Sequence, residues 1–214
     1  MLGDRARVFV GDATDPDTAE KAFRLAVTEF GRFDALYHVA GGSGRLAGDG
    51  PLHDVTDAGI EATLRLNLVS LIYSNRAAAR AFIDHGTGGA VLNMGSVLGL
   101  SPSPEFFATH VYAAAKSAVI GFTKSCAAYY APHNIRFNVI APALVDTPMA
   151  KRAAEDDTIL RFVRAKQPLD GGRIGHPDDL DAAVVYFLSD ESRFVTGQVL
   201  AVDGGWTVSE GGAR

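Results

Sequence analysis

The sequence predicts a single α/β domain whose parallel sheet is covered by helices. Short β-branched apolar runs alternate with longer segments of helical periodicity, the pattern of successive βα units. The chain of 214 residues contains no repeat, low-complexity tract or interdomain linker, so one domain spans 1–214. At that length, folding buries roughly 70% of the surface an unfolded chain exposes. The composition is 47% hydrophobic and 21% charged, ordinary for a water-exposed globular fold, with no apolar run long enough to span a membrane.

The elements follow in chain order. The first apolar run, Arg7-Val8-Phe9-Val10-Gly11-Asp12, is expected to be a strand. Asp15 followed by Pro16 reads as an N-cap with proline in the first turn, and Gly31 as the stop after Phe30. Between them Ala19, Phe23, Ala26, Val27 and Phe30 recur at helical spacing. Residues 35–40 form the next strand and end in Gly41-Gly42. A long helix is expected over about 57–84, then a strand over 90–94. A further helix runs from Tyr112 to about Tyr130, and a strand occupies 135–140. The charged stretch from Met149 to Gly175 looks mobile. A helix from Pro177 to Leu188 and a final strand over 198–203 complete the chain.

Several function classes are disfavoured by composition. The formal net charge of −5 argues against a nucleic-acid surface, which needs concentrated basic charge. The lone Cys126 excludes an internal disulfide and any cysteine-rich metal site, and suits a reducing cytoplasm. The first residues carry no apolar signal segment.

The chemical signal lies at Tyr112-Ala-Ala-Ala-Lys116. Residues four apart share one helix face, so phenol and ammonium can enter one cleft. A tyrosine near its ordinary pKa of about 10 is a poor base at neutral pH. A nearby lysine cation is expected to lower that pKa and make the phenol a usable proton donor or acceptor. Taken alone, the pair also fits an amphipathic helix with a surface lysine. Ser96 follows the 90–94 strand, at the carboxyl end where open α/β sheets bind ligands, and its hydroxyl suits a substrate carbonyl. Asn67 interrupts a helix-favouring stretch and marks a local irregularity where a water enters.

With these residues the chain resembles the short-chain dehydrogenases/reductases, in the branch of β-ketoacyl-carrier-protein reductases and many sugar and alcohol dehydrogenases. The resemblance extends over the whole chain. It includes Gly11-Asp12-Ala13-Thr14, His38-Val39-Ala40-Gly41, Ala141-Pro142-Ala143, Thr147-Pro148, residues 173–179 and Val202-Asp203-Gly204-Gly205. It implies a doubly wound, Rossmann-like three-layer α/β/α fold and a catalytic tetrad of Asn67, Ser96, Tyr112 and Lys116. Tyr112 would exchange a proton with the substrate oxygen, and Lys116 would lower its pKa and hold the nicotinamide ribose. Ser96 would orient the carbonyl or alcohol, and Asn67 would support a water-linked proton path. NAD or NADP is the implied cofactor, touched by Asp12, Ala40, Gly41, Tyr112, Lys116, Pro142, Val145 and Thr147. The implied partners are a small carbonyl or alcohol substrate and further copies of the chain, as a dimer or tetramer, without nucleic acid or membrane.

The sequence also departs from that family. Its usual opening strand, Gly-rich turn, helix and second strand have no counterpart, because Met1 stands just before what resembles the third strand. Weak or undetectable dinucleotide binding is therefore expected, with Gly41-Gly42-Ser43-Gly44 a poor substitute phosphate loop. A five-stranded parallel sheet is expected, with the Val8 strand moved sideways to pair with the Leu36 strand. His38 and Val39 replace paired asparagines, the histidine reading as structural, and Ala143 replaces a glycine that gives the nicotinamide room. Phe106 and Phe107, in an unusually long segment between Ser96 and Tyr112, either line a substrate pocket or simply pack. A non-catalytic scaffold that has lost the cofactor is the alternative to an oxidoreductase, and a binding module without hydride chemistry a third reading.

Overall fold

The computed structural model describes residues 3–211. One sheet of four parallel strands, β1 (Ala35–His38), β2 (Gly89–Met94), β3 (Ile135–Pro142) and β4 (Val199–Val202), runs in the order β1-β2-β3-β4. Leu36 pairs with Val91, Val91 with Phe137, and Ile140 with Leu200. Seven helices accompany it: α1 (Pro16–Phe30), α2 (Asp57–Leu64), α3 (Ser70–His85), α4 (His110–Tyr130), α5 (Lys151–Ala154), α6 (Asp157–Lys166) and α7 (Asp181–Leu188).

Alternation along β2 divides the core between two faces. Val91 joins Phe82, Ile135 and Phe137, with Phe33 and Leu36 packed against them. Its neighbour Leu92 joins Ile140, Leu180 and Phe187 on the side of α7. A third cluster, Val97, Ile159, Val163 and Trp206, lies beyond the sheet and involves α6. Between α3, β2 and α4 a buried polar knot closes on itself. Asn75 and Asn93 exchange two side-chain hydrogen bonds of 2.8 and 2.9 Å, and Asn93 donates a third to Thr123 at 3.0 Å. Each buried amide thus recovers the hydrogen bonding it loses by leaving water.

Several predicted elements form where local chemistry places them. Helix α1 begins at its Asp15 cap, whose carboxylate accepts from the Asp17 N–H at 2.9 Å, and stops at Gly31 with φ 74°. The long helix predicted over 57–84 is α2 and α3 joined through a π-helical turn, Arg65–Val69, centred on Asn67. The helix expected over 177–188 starts as a 3-10 turn, Pro177–Leu180, before α7.

Two expectations are corrected. Residues Arg7–Asp12 form no strand, and Val8 and Val10 are 87% and 90% exposed, so among the described residues the sheet has four strands and not five. The segment is tied to the far end of α1 instead. Arg7 pairs with Glu29 at 2.7 Å and lies over the Phe30 ring, which holds the segment by α1 and away from β1. The stretch 149–175 is ordered as α5 and α6. Asp156 caps α6 by accepting from Thr158 and Ile159, and Ile159 and Val163, four apart, bury its inner face. No described helix is long and apolar enough to cross a membrane.

Candidate active site

A cavity of about 460 Å³ opens where the strands end. It lies at the carboxyl ends of the parallel strands, where loops are free to converge without breaking the sheet. Ser96 comes from the turn after β2, Tyr112 and Lys116 from the first turns of α4, and Gly41 from the turn after β1. Pro142, Val145 and Thr147 contribute from the end of β3 and the loop beyond it. These seven of the predicted residues line one cavity.

The other three stand apart from its wall. Asn67 is fully buried behind it, Ala40 faces a separate groove under α1, and Asp12 lies in an exposed turn where its carboxylate accepts the Thr14 N–H at 2.8 Å. That hydrogen bond holds the Asp12 carboxyl below its ordinary pKa.

Asn67 acts as a rivet in the π turn. The widened turn leaves the Thr63 carbonyl for the Asn67 amide, which donates to it at 2.9 Å. The same amide donates to the Gly42 carbonyl at 2.9 Å, and its oxygen accepts the Gly42 N–H at 3.0 Å. The irregularity expected at this asparagine is therefore real, and the polar groups it exposes are met by the loop after β1. Gly41 permits that approach. A Cβ there would stand 2.9 Å from Asn67 Oδ1 and 3.4 Å from Lys116 Nζ.

Lys116 is buried, and its Nζ donates to the Met94 carbonyl at 2.9 Å. Desolvation pushes its pKa down to about 8. Nζ sits 5.5 Å from the centre of the Tyr112 ring. Burial raises the Tyr112 pKa, and contact with the Ser96 hydroxyl offsets part of the rise. The direction is opposite to the lowering expected from a neighbouring lysine. Here the lysine faces a main-chain carbonyl and the ring, and it is Ser96 that favours the phenolate. Ser96 itself is buried, and its hydroxyl accepts the Leu98 N–H at 3.2 Å. His38 is buried below the site, bonded through Nδ1 to Ser74 Oγ at 2.8 Å. Desolvation and the Lys116 charge lower its pKa to about 4, so it is neutral at physiological pH.

Sequence reasoning missed Asp49. This buried carboxylate, in the loop after β1, accepts the N–H groups of Val111 and Tyr112 at 3.1 and 2.9 Å. It caps α4 from a distance, since the local cap residue Thr109 makes no side-chain bond. Gln167 was missed as well; buried at the end of α6, it bonds Leu144 and Arg173 and steadies the 143–145 loop. No local spacing marks either residue. Of the two phenylalanines, Phe107 lines the cavity while Phe106 packs on Phe162 at 5.1 Å.

Known proteins resemble this chain along nearly its whole length. A family profile described as enoyl-(acyl carrier protein) reductase matches residues 2–207. The chain belongs to the short-chain dehydrogenase/reductase family. It is similar to cis-4-hydroxycyclohexanecarboxylate dehydrogenase of Sinomonas cyclohexanicum, 33% identical over 205 residues, covering 96% of this chain and 78% of that protein. It is also similar to a 3-oxoacyl-[acyl-carrier-protein] reductase of Thermotoga maritima, 32% identical over 200 residues and covering 94% and 76%. Among solved structures, a gluconate 5-dehydrogenase from Burkholderia cenocepacia in complex with NADP and tartrate superposes with a TM-score of 0.83. It is 30% identical, with 94% of this chain and 74% of that one covered. This short-chain dehydrogenase/reductase thus has the family's Rossmann-like fold, a parallel sheet flanked by helices, and none of these relatives supports the non-catalytic alternative.

Proposed function

We propose that the chain reduces a small carbonyl compound, or oxidises the matching alcohol, with NAD(P) as hydride partner. The observation that carries this reading is the convergence of Ser96, Tyr112 and Lys116 on one cavity at the sheet's carboxyl end. The nicotinamide cofactor supplies or accepts the hydride. Tyr112 carries the proton to or from the substrate oxygen; its raised pKa keeps the phenol protonated and ready to donate during reduction. Ser96 holds that oxygen and, as a donor, stabilises negative charge as it develops. Lys116, with a pKa near 8, is the replenishing proton source behind the ring, and Asn67 holds the loop that keeps Gly41 against it. Lys116 would hold the nicotinamide ribose within the cavity, where Gly41, Pro142, Val145 and Thr147 are also part of the wall.

The pyrophosphate is less well served. The glycines at 42 and 44 are used for packing: a Cβ on Gly44 would overlap the Thr63 hydroxyl, and one on Gly42 would press Leu66 at 3.2 Å. Among the described residues, no strand pairs with the outer edge of β1. Grip confined to the nicotinamide end predicts weak NADH and NADPH binding in calorimetric titration; submicromolar affinity would contradict it.

The catalytic assignment is tested by Tyr112→Phe. Loss of the proton-transferring hydroxyl is expected to lower carbonyl reduction by at least about 10²-fold while the folded state persists. Full activity in this variant would overturn the role given to Tyr112.

A further inference from the structure

The cavity has a charged rim that the proton-transfer chemistry does not use. Arg45, in the loop after β1, and Arg152, in α5, both line it. Each donates through Nη2 to the same main-chain oxygen, that of Phe106, at 3.1 and 3.0 Å. Arg152 also lies over the ring of Phe107, 6.0 Å from its centre, and Phe107 is part of the cavity wall. Two cations from distant parts of the chain are thus anchored side by side at one carbonyl.

Nothing among the described residues neutralises them. No carboxylate lies within ion-pair distance of either guanidinium. The acidic group closest in effect, Asp49, already has both oxygens on the N–H groups of α4. Arg45 accordingly has its pKa lowered, by desolvation and then by the charge of Arg152. A guanidinium carries five N–H donors, so one bond to Phe106 leaves each arginine with a free fork. Such forks match carboxylate geometry and favour a planar anion over a point contact.

We propose that this cavity selects a carbonyl or alcohol substrate bearing a carboxylate on a compact apolar body, and that Arg45 and Arg152 bind the carboxylate. The inference rests on the oxidoreductase reading of the same site. Leu98, Phe107, Leu144 and Trp206 supply the apolar walls for the body between the two polar ends. The reacting oxygen goes to Ser96 and Tyr112, and the anion to the rim. The cavity of about 460 Å³ suits a small oxo- or hydroxy-acid beside the nicotinamide end of the cofactor.

Binding is measured by calorimetry with 4-acetylbenzoate and its neutral methyl ester, with no turnover required. Wild-type protein is expected to bind the acid at least about tenfold more tightly than the ester. The double variant Arg45→Gln/Arg152→Gln should lose that preference and leave ester binding unchanged, and lysine at both positions should restore part of it. Salt gives a second readout on the unaltered protein: raising it should weaken the acid and spare the ester. Equal binding of acid and ester, no detectable acid binding, or equal weakening of both by the glutamine variant would overturn the proposal. The last result would mean that the arginines only pin the Phe106 loop. Acid-selective binding without any NAD(P)H-dependent reduction of either ketone would retain the anion site and sink the oxidoreductase reading. Reduction of both ketones without acid preference would do the reverse.

Discussion

His38 shows how a buried side chain couples this site to pH. Its ring is almost wholly buried, bonded to Ser74, and faces the Lys116 charge, which together lower its pKa from 6.5 to about 4. The unfolded chain therefore binds a proton near pH 6.5 that the folded chain refuses until about pH 4. Stability then rises with pH across that window, and is lost as pH falls through it, by up to about 3 kcal/mol. His38→Asn keeps a polar partner for Ser74 and cannot titrate. In urea denaturation, wild type is expected to weaken between pH 6.5 and 4 relative to this variant, and to match its pH dependence above 7. Parallel curves throughout would show that His38 charges freely in the folded state. Arg45 and Arg152 make a different point at the rim, where two cations share the Phe106 carbonyl and neither meets a carboxylate among the described residues.

At the scale of elements, α4 carries Tyr112 and Lys116, and its position depends on groups far away in sequence. The first N–H groups of a helix lack internal partners. In α4 those of Val111 and Tyr112 are met by Asp49, some sixty residues earlier, whose negative charge also complements the helix N-terminus. Asp49→Ala leaves two N–H groups unmet and is expected to destabilise the fold by about 1–3 kcal/mol. Because the cap fixes the first turn of α4, turnover should fall as well, with Asp49→Asn retaining part of both. Thermal unfolding together with steady-state kinetics checks this; an alanine variant with unchanged melting would show that the cap contributes nothing. The π turn serves the neighbouring element in the same way, since Asn67 ties α2 and α3 to the β1 loop.

Across the whole molecule, both flanks of the sheet remain open. Val8 and Val10 project into solvent on one side. On the other, Leu200 in β4 and Val185 and Tyr186 in α7 are 40%, 65% and 42% exposed. Exposed apolar patches of this kind favour association, and β4 is an outer strand with one unpaired edge. Copies of the chain are expected to self-associate through the β4 and α7 side, giving a dimer or larger mass by light scattering at micromolar concentration. Val185→Asp should shift that mass toward the monomer, whereas a monomeric wild type would contradict the expectation.

The parts legible in the sequence were those decided within a few residues. Helix α1 was readable from Asp15, Pro16 and Gly31 because a cap and a stop act on adjacent backbone groups. β2 and β3 were readable as apolar runs because both faces of a central parallel strand are covered. Tyr112 and Lys116 were readable as a pair because four residues make about one helical turn. Tertiary structure alone decided the rest. Val8-Phe9-Val10 has strand-like composition, yet a strand exists only with a partner, and Arg7 is held at Glu29 instead. Lys116 stands beside the Tyr112 ring, as their spacing implied, but its bond to the Met94 carbonyl, a contact between α4 and β2, has no local signature. Asp49 beneath α4 and the two arginines at Phe106 carry no local signature. Their roles arise from long-range contacts, because neither a remote cap nor a shared carbonyl exists until the loops close over the sheet.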